Sequence, residues 1–128
     1  MKYVTAVLIL FISVTILSAA DFKTYQASYE KQMGYIVLGH GENVVKLDKS
    51  YDKSLSALFK RSSSAGDLVK VKSVMAEIKR FTSDQTVTGE VAKESEPELK
   101  NIQLAYIQNL RNFESRKAKS IITLSDQY

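Results

Sequence analysis

The stretch "GYIVLGHGENVVKL", residues 34–47, decides how the rest of this chain is read. Alone it has the form of a β-hairpin: apolar residues from Tyr35 to Leu38, a Gly39-His40-Gly41-Glu42 turn, then Val44 and Val45. It also holds the chain's single histidine, between two glycines and beside Glu42. A hairpin with His40 at its tip would raise the question of a metal or phosphate site. A helix would give His40 a packing position instead.

The second half of the chain answers the question. Laid over residues 99–128 without a gap, residues 22–51 share Lys23/Lys100, Gln26/Gln103, Tyr29/Tyr106, Leu47/Leu124 and Tyr51/Tyr128. Apolar character also matches at Phe22/Leu99, Tyr25/Ile102, Met33/Leu110, Ile36/Phe113, Val44/Ile121 and Val45/Ile122. The first stripe is Phe22, Tyr25, Tyr29, Met33, Ile36, His40, Val44, Leu47, Tyr51, Leu55 and Leu58. The second is Leu99, Ile102, Tyr106, Leu110, Phe113, Lys117, Ile121, Leu124 and Tyr128. Both advance in steps of three, four and four, about 3.67 residues per turn, so one face of a nearly straight α-helix stays apolar. A strand would need a period of two. Opposite Gly34, Gly39 and Gly41 stand Arg111, Arg116 and Ala118, which are good helix formers. The stretch is therefore expected to be helical, with the alternative of a local kink or break near Gly39 and Gly41.

Helix one is expected over about residues 22–62, roughly 60 Å long. "SSSAGDL" then breaks it: Gly66 supplies the left-handed residue that closes a helix, and Asp67 caps the next one. Leu68, Val71, Met75 and Ile78 form a stripe at helical spacing, ending near Phe81. So short a turn sends helix two, residues 67–81, back along helix one. Its stripe is expected to pack on Leu58, Leu55, Tyr51 and Leu47. Residues 82–96 are polar, without helical period, and read as a linker. A third helix restarts at residue 97, with Ser95 as cap, Glu98 at the capping-box position and Pro97 in the first turn. Its residues 97–128 have the form of an incomplete second copy. The expected fold is all-α: a long antiparallel, coiled-coil-like hairpin of residues 21–81 plus a third long helix. The residues expected at packing interfaces are Tyr29, Met33, Ile36, Leu47, Tyr51, Leu55, Leu58, Leu68, Val71, Met75, Ile78, Tyr106, Leu110 and Phe113, with Gly66 and Asp67 as hinge.

Residues 1–20 stand apart from this pattern. Lys2, an apolar run from Val4 to Leu17 and the small residues Ser18, Ala19 and Ala20 make a secretory signal with cleavage before Asp21. The run is short for a membrane span of about 20 residues, though an uncleaved anchor is the rival reading. The expected location is secreted or periplasmic. The chain has no cysteine, so packing alone must hold it. Its formal charge of +4, with both signs interspersed, does not point to nucleic acid.

The run "YDKSLSALFKRSSSAGDLVKVKSVMAEIKRF", residues 51–81, resembles a helical-hairpin repeat of exported planctomycete and verrucomicrobial proteins. Ala65-Gly66-Asp67-Leu68 matches its hinge, and Val71-Lys72 with Ala76-Glu77-Ile78-Lys79-Arg80 resembles its tail. Val69, Val74 and Met75 depart from the pattern. The resemblance implies a non-catalytic helical module of the bacterial envelope and carries no catalytic residues.

No residue set spells out a chemistry. His40 lies on the stripe and lacks the further ligands that a metal needs or the orienting group that catalysis needs. Gly39-His40-Gly41 lacks the glycine spacing and lysine of a phosphate loop. The stripe tyrosines 25, 29, 51, 106 and 128 suit packing with the hydroxyl at the rim. Glu94, Glu96 and Glu98 suit the positive end of a helix dipole. The expectation is an exported scaffold or protein–protein interaction module without catalysis, cofactor or metal, whose partner is another protein or a second copy. The alternative is a peripheral envelope binder that touches anionic lipid or cell-wall polysaccharide through Lys46, Lys49, Lys53 and the basic residues between Arg111 and Lys119.

Overall fold

The computed structural model describes the backbone of residues 2–128 and the side chains of residues 21–128. Among these residues every regular element is a helix: α1 (Lys2–Ala65), α2 (Leu68–Asp84), α3 (Gly89–Glu94) and α4 (Pro97–Asp126). The fold is all-α. The signal pattern over residues 1–20 falls where side chains are not described. Among the described residues, no helix is long and apolar enough to cross a membrane.

The stretch "GYIVLGHGENVVKL" lies wholly inside α1, with no break at its glycines. A Cβ built on Gly34, Gly39 or Gly41 meets nothing within 4 Å. These glycines serve no close approach and weaken the helix they sit in. Replacing both Gly39 and Gly41 with alanine is expected to raise stability by about 1–2 kcal/mol. The urea midpoint should rise with little change in slope.

At the hinge, Gly66 takes a positive φ of 71°. The Asp67 side chain accepts a hydrogen bond from Lys70 N at 3.0 Å, which caps α2. The Gly66 and Asp67 amides donate back to Ser63 O and Ser62 O, closing the last turn of α1. The helix end thus lies three residues beyond the expected one, and α2 turns back antiparallel to α1.

The phase of α2 differs from the expected stripe. Val74 and Phe81 are buried and Val71 and Ile78 half-buried, but Leu68 is 71% and Met75 55% exposed. The inward face instead includes Glu77, only 4% exposed. An apolar-only stripe skips that charged position and turns Leu68 and Met75 inward. A buried carboxylate with partners rotates the helix so that Glu77 faces in and those two face out.

The segment read as a linker is partly helical. α2 continues to Asp84 and is closed by Gln85, whose φ is 51° and whose amide donates to Phe81 O. Then α3 forms, with Thr88 as cap, Val87 and Ala92 buried, and its body packed on α4. The cap of α4 is also shifted. Glu96, not Ser95, accepts from Leu99 N, while the Ser95 hydroxyl donates to Val91 O. Glu98 does not reach back to form a capping box. It accepts from Lys70 Nζ at 2.7 Å and lies 3.6 Å from Arg61.

The stripes of the two long helices form the seam between α1 and α4. Every first-stripe position from Tyr29 to Leu58 is at least half-buried, as are the second-stripe positions from Leu99 to Leu124. The two helices run antiparallel, because Tyr51 meets Tyr106 while Tyr29 meets Tyr128. α2 covers only the Tyr51 half of this seam. There three helices enclose Leu55, Leu58 and Val74, all at 0% exposure. In the other half Met33, Ile36, Leu110 and Phe113 are half-buried between two helices.

Candidate functional site

The closed end is built around Tyr51. Its ring lies 5.0 Å from Tyr106 and 4.7 Å from Phe81, and Phe81 lies 5.6 Å from Tyr106. The edge-to-face arrangement of Phe81 on both tyrosines suits their quadrupoles. The Tyr51 hydroxyl donates to Glu77 Oε1 at 2.5 Å. Arg80, three residues on along α2, grips Glu77 through Nε and Nη2 at 2.7 and 2.6 Å, and its Nη1 donates to Thr86 O. One bidentate ion pair therefore ties α1, α2 and the loop after α2 together. The Tyr106 hydroxyl donates to Asp48 Oδ1 at 2.7 Å and ties α4 to α1. Gln103 is fully buried in α4, with its side-chain amide beside Tyr51 and Glu77.

These contacts set the protonation states. Burial alone would push the Glu77 carboxyl up, but the hydrogen bonds from Arg80 and Tyr51 outweigh it and hold it below the usual carboxylate range. The Tyr51 hydroxyl is pushed far up, first by burial and then by Glu77. Tyr106 is pushed up by burial and by Asp48. A tyrosine raised in this way stabilises the fold fully below its unfolded value of about 10 and loses that contribution as pH rises above it. Tyr51 and Tyr106 are thus expected to ionise only with alkaline unfolding. In a tyrosinate absorbance titration followed in parallel by circular dichroism, their late phase should coincide with loss of helix. It should disappear in the variant carrying Tyr51→Phe and Tyr106→Phe. The layer holds its charged groups in fixed mutual contacts, which is the arrangement of a structural clamp.

The open end carries a second aromatic group. Tyr128 stands edge-on to Tyr29 at 5.7 Å and to Tyr25 at 6.1 Å. Beside them lies a groove of about 410 Å³ lined by Phe22, Tyr25, Gln26, Tyr29, Gln127 and Tyr128. Phe22, Tyr25 and Tyr128 are 67%, 60% and 49% exposed. Further along α1, Tyr35, Leu38 and Val45 are also exposed.

The structure gathers Tyr51, Leu55, Leu58 and Tyr106 at the closed end and lays Tyr29, Met33, Ile36, Leu47, Leu110 and Phe113 along the seam. It leaves Leu68 and Met75 outside. Glu77, Arg80, Phe81, Gln103 and Asp48 complete the clamp but were absent from the expected interface. The glutamate–arginine spacing of three, one helical turn from Phe81, was the available signal. His40 is half-buried and its Nδ1 bonds no protein atom. Among the described residues no group of three His, Asp or Glu side chains is placed to hold a metal ion.

No protein-family model matches the chain, and no curated protein or solved structure shows detectable similarity to it.

Proposed function

We propose that the chain is an exported, non-catalytic helical module that acts through protein–protein contact, as a scaffold or spacer in the bacterial envelope. The observation that carries this reading is the uneven covering of one continuous seam. The Tyr51 end is sealed by α2, whereas the Tyr128 end presents large aromatic side chains to solvent. Exposed aromatic groups beside a rigid seam are characteristic of contact surfaces. The signal pattern over residues 1–20 supports export, and the hairpin resemblance over residues 51–81 supports a modular helical role. The correspondence between residues 22–51 and 99–128 supports a repeat, because the earlier tyrosine of each copy pairs with the later tyrosine of the other, Tyr29 with Tyr128 and Tyr106 with Tyr51.

Sedimentation velocity of the chain from Asp21 onward, across a wide concentration range, tests the reading. Concentration-dependent association of a highly helical species is expected. A monomer of low helicity at every concentration contradicts it.

A second reading has one observation in its favour. Arg111, Arg116 and Lys119 are exposed on α4 and make no ion pair among the described residues. Such a face suits anionic lipid or cell-wall polymer. Binding to anionic vesicles that collapses in moderate salt is its expected sign, and no binding at low salt contradicts it.

A further inference from the structure

We propose that the open aromatic end docks an amphipathic helix of a partner polypeptide that presents a phenylalanine and a glutamate four residues apart, with the phenylalanine C-terminal. This inference rests on the interaction-module reading above and names its site and the chemistry of its partner.

The molecule itself supplies the template. The internal correspondence places Tyr29 on Tyr106 and Tyr51 on Tyr128. The ring pairs that form are Tyr51 with Tyr106 and Tyr29 with Tyr128, at 5.0 and 5.7 Å. The same two repeat positions therefore meet at both ends with the copies exchanged, as they do when two like segments pair around a local two-fold axis. At the closed end this tyrosine pair is roofed by one helix, α2. Phe81 packs on both rings and Glu77, one turn earlier, accepts a hydrogen bond from the Tyr51 hydroxyl. Both tyrosines are then 3% exposed.

At the open end no described residue stands in the place of Phe81 or Glu77. The groove remains open, and Tyr128 is 49% exposed. Its hydroxyl, the counterpart of the one that donates to Glu77, sits instead in a ring of polar groups from α1. It lies 2.7 Å from Ser28 Oγ and 3.1 Å from Gln32 Nε2, which lies 3.3 Å from Ser28 Oγ. Gln32 Nε2 donates to both hydroxyl oxygens and one hydroxyl donates to the other, which leaves one hydroxyl proton without an acceptor among the described residues. A glutamate side chain is the acceptor that completes such a set. The surface is also continuous with the one that α2 already covers, because both lie along the α1–α4 seam.

The test uses the protein and a synthetic peptide of the α2 sequence, residues 68–84, held helical by a lactam on its outer face. Binding is followed by amide and aromatic chemical shifts. Shifts should centre on Phe22, Tyr25, Tyr29 and Tyr128. The double variant Tyr25→Ala, Tyr128→Ala should weaken binding by about tenfold or more, and both sites are exposed enough for the fold to survive, which circular dichroism verifies. Peptides carrying Phe81→Ala or Glu77→Ala should bind comparably weakly. The proposal is overturned if the peptide does not bind, if the double variant binds it equally well, or if the shifts centre on Tyr51 and Tyr106, where displacement of α2 would place them. Any of these outcomes, together with association in sedimentation, removes this docking site and leaves the interaction-module reading standing.

Discussion

Glu77→Ala is expected to destabilise the protein by about 3 kcal/mol, a large part of the roughly 5–15 kcal/mol typical of a domain. The residue is small, uncharged and helix-favouring, so propensity is not the cause. The loss comes from what remains behind. The Tyr51 hydroxyl loses its acceptor inside the core, and Arg80 keeps its charge with one remaining backbone partner, Thr86 O, and a weak contact to Asp84 at 3.5 Å. Unpaired buried polar groups carry the full desolvation cost. Glu77→Gln should lose about half as much, since an amide oxygen still accepts from Tyr51 but offers Arg80 no charge. Tyr51→Phe should cost only about 1 kcal/mol, because Arg80 continues to satisfy the carboxylate. Chemical denaturation at neutral pH measures all three.

The same residue sets the acid limit. A carboxyl held below its unfolded value of about 4.5 stabilises the fold fully above that value. The contribution is lost as pH falls through the lowered folded value. Wild-type stability should therefore fall with acid below about pH 4.5, and Glu77→Gln should flatten that slope.

Phe81→Ala is the other large expected effect, about 3–5 kcal/mol. Its ring is 4% exposed and bridges Tyr51 and Tyr106, so its removal opens a cavity where α1, α2 and α4 meet. Leu68→Ala provides the contrast on the same helix. With 71% of its surface exposed, Leu68 should cost within about 0.5 kcal/mol. An α2 rotated to the phase of the apolar stripe would reverse these two results. Equal and large losses at both positions would require a third helix arrangement altogether.

That reversal shows which parts of the structure were legible in the sequence. The long helices were, because an apolar residue every three or four positions leaves no other regular structure that buries them all. The glycine-rich stretch was legible only against residues 111–118, whose composition has no strand character. The hinge was legible because left-handed Gly66 and capping Asp67 act through local backbone geometry, which needs no tertiary contact. The phase of α2 was not, since Glu77 becomes buriable only when Arg80 and a tyrosine from another helix are brought to it. Ser62 is likewise a buried polar residue at the end of an apolar stripe. The helix inside residues 82–96 escaped because six residues hold too few apolar positions for a period to show. Val87, just before it, and Ala92 within it are buried by contact with the rest of the molecule rather than by a pattern of their own. The open aromatic end followed the same stripe as the core, and sequence alone had no means of telling a covered tyrosine from an uncovered one.

The α1–α4 seam has a sealed end and an open end. Native-state hydrogen exchange tests this most directly, at a concentration where the protein is monomeric. Amides near Tyr51, Leu55, Leu58, Val74, Phe81 and Tyr106 should exchange slowest, near the rate of global unfolding. Those near Tyr25, Tyr29, Leu124 and Tyr128 should exchange faster by about two orders of magnitude or more, through local opening. Equal protection at the two ends would mean that the seam is sealed along its whole length or open along it.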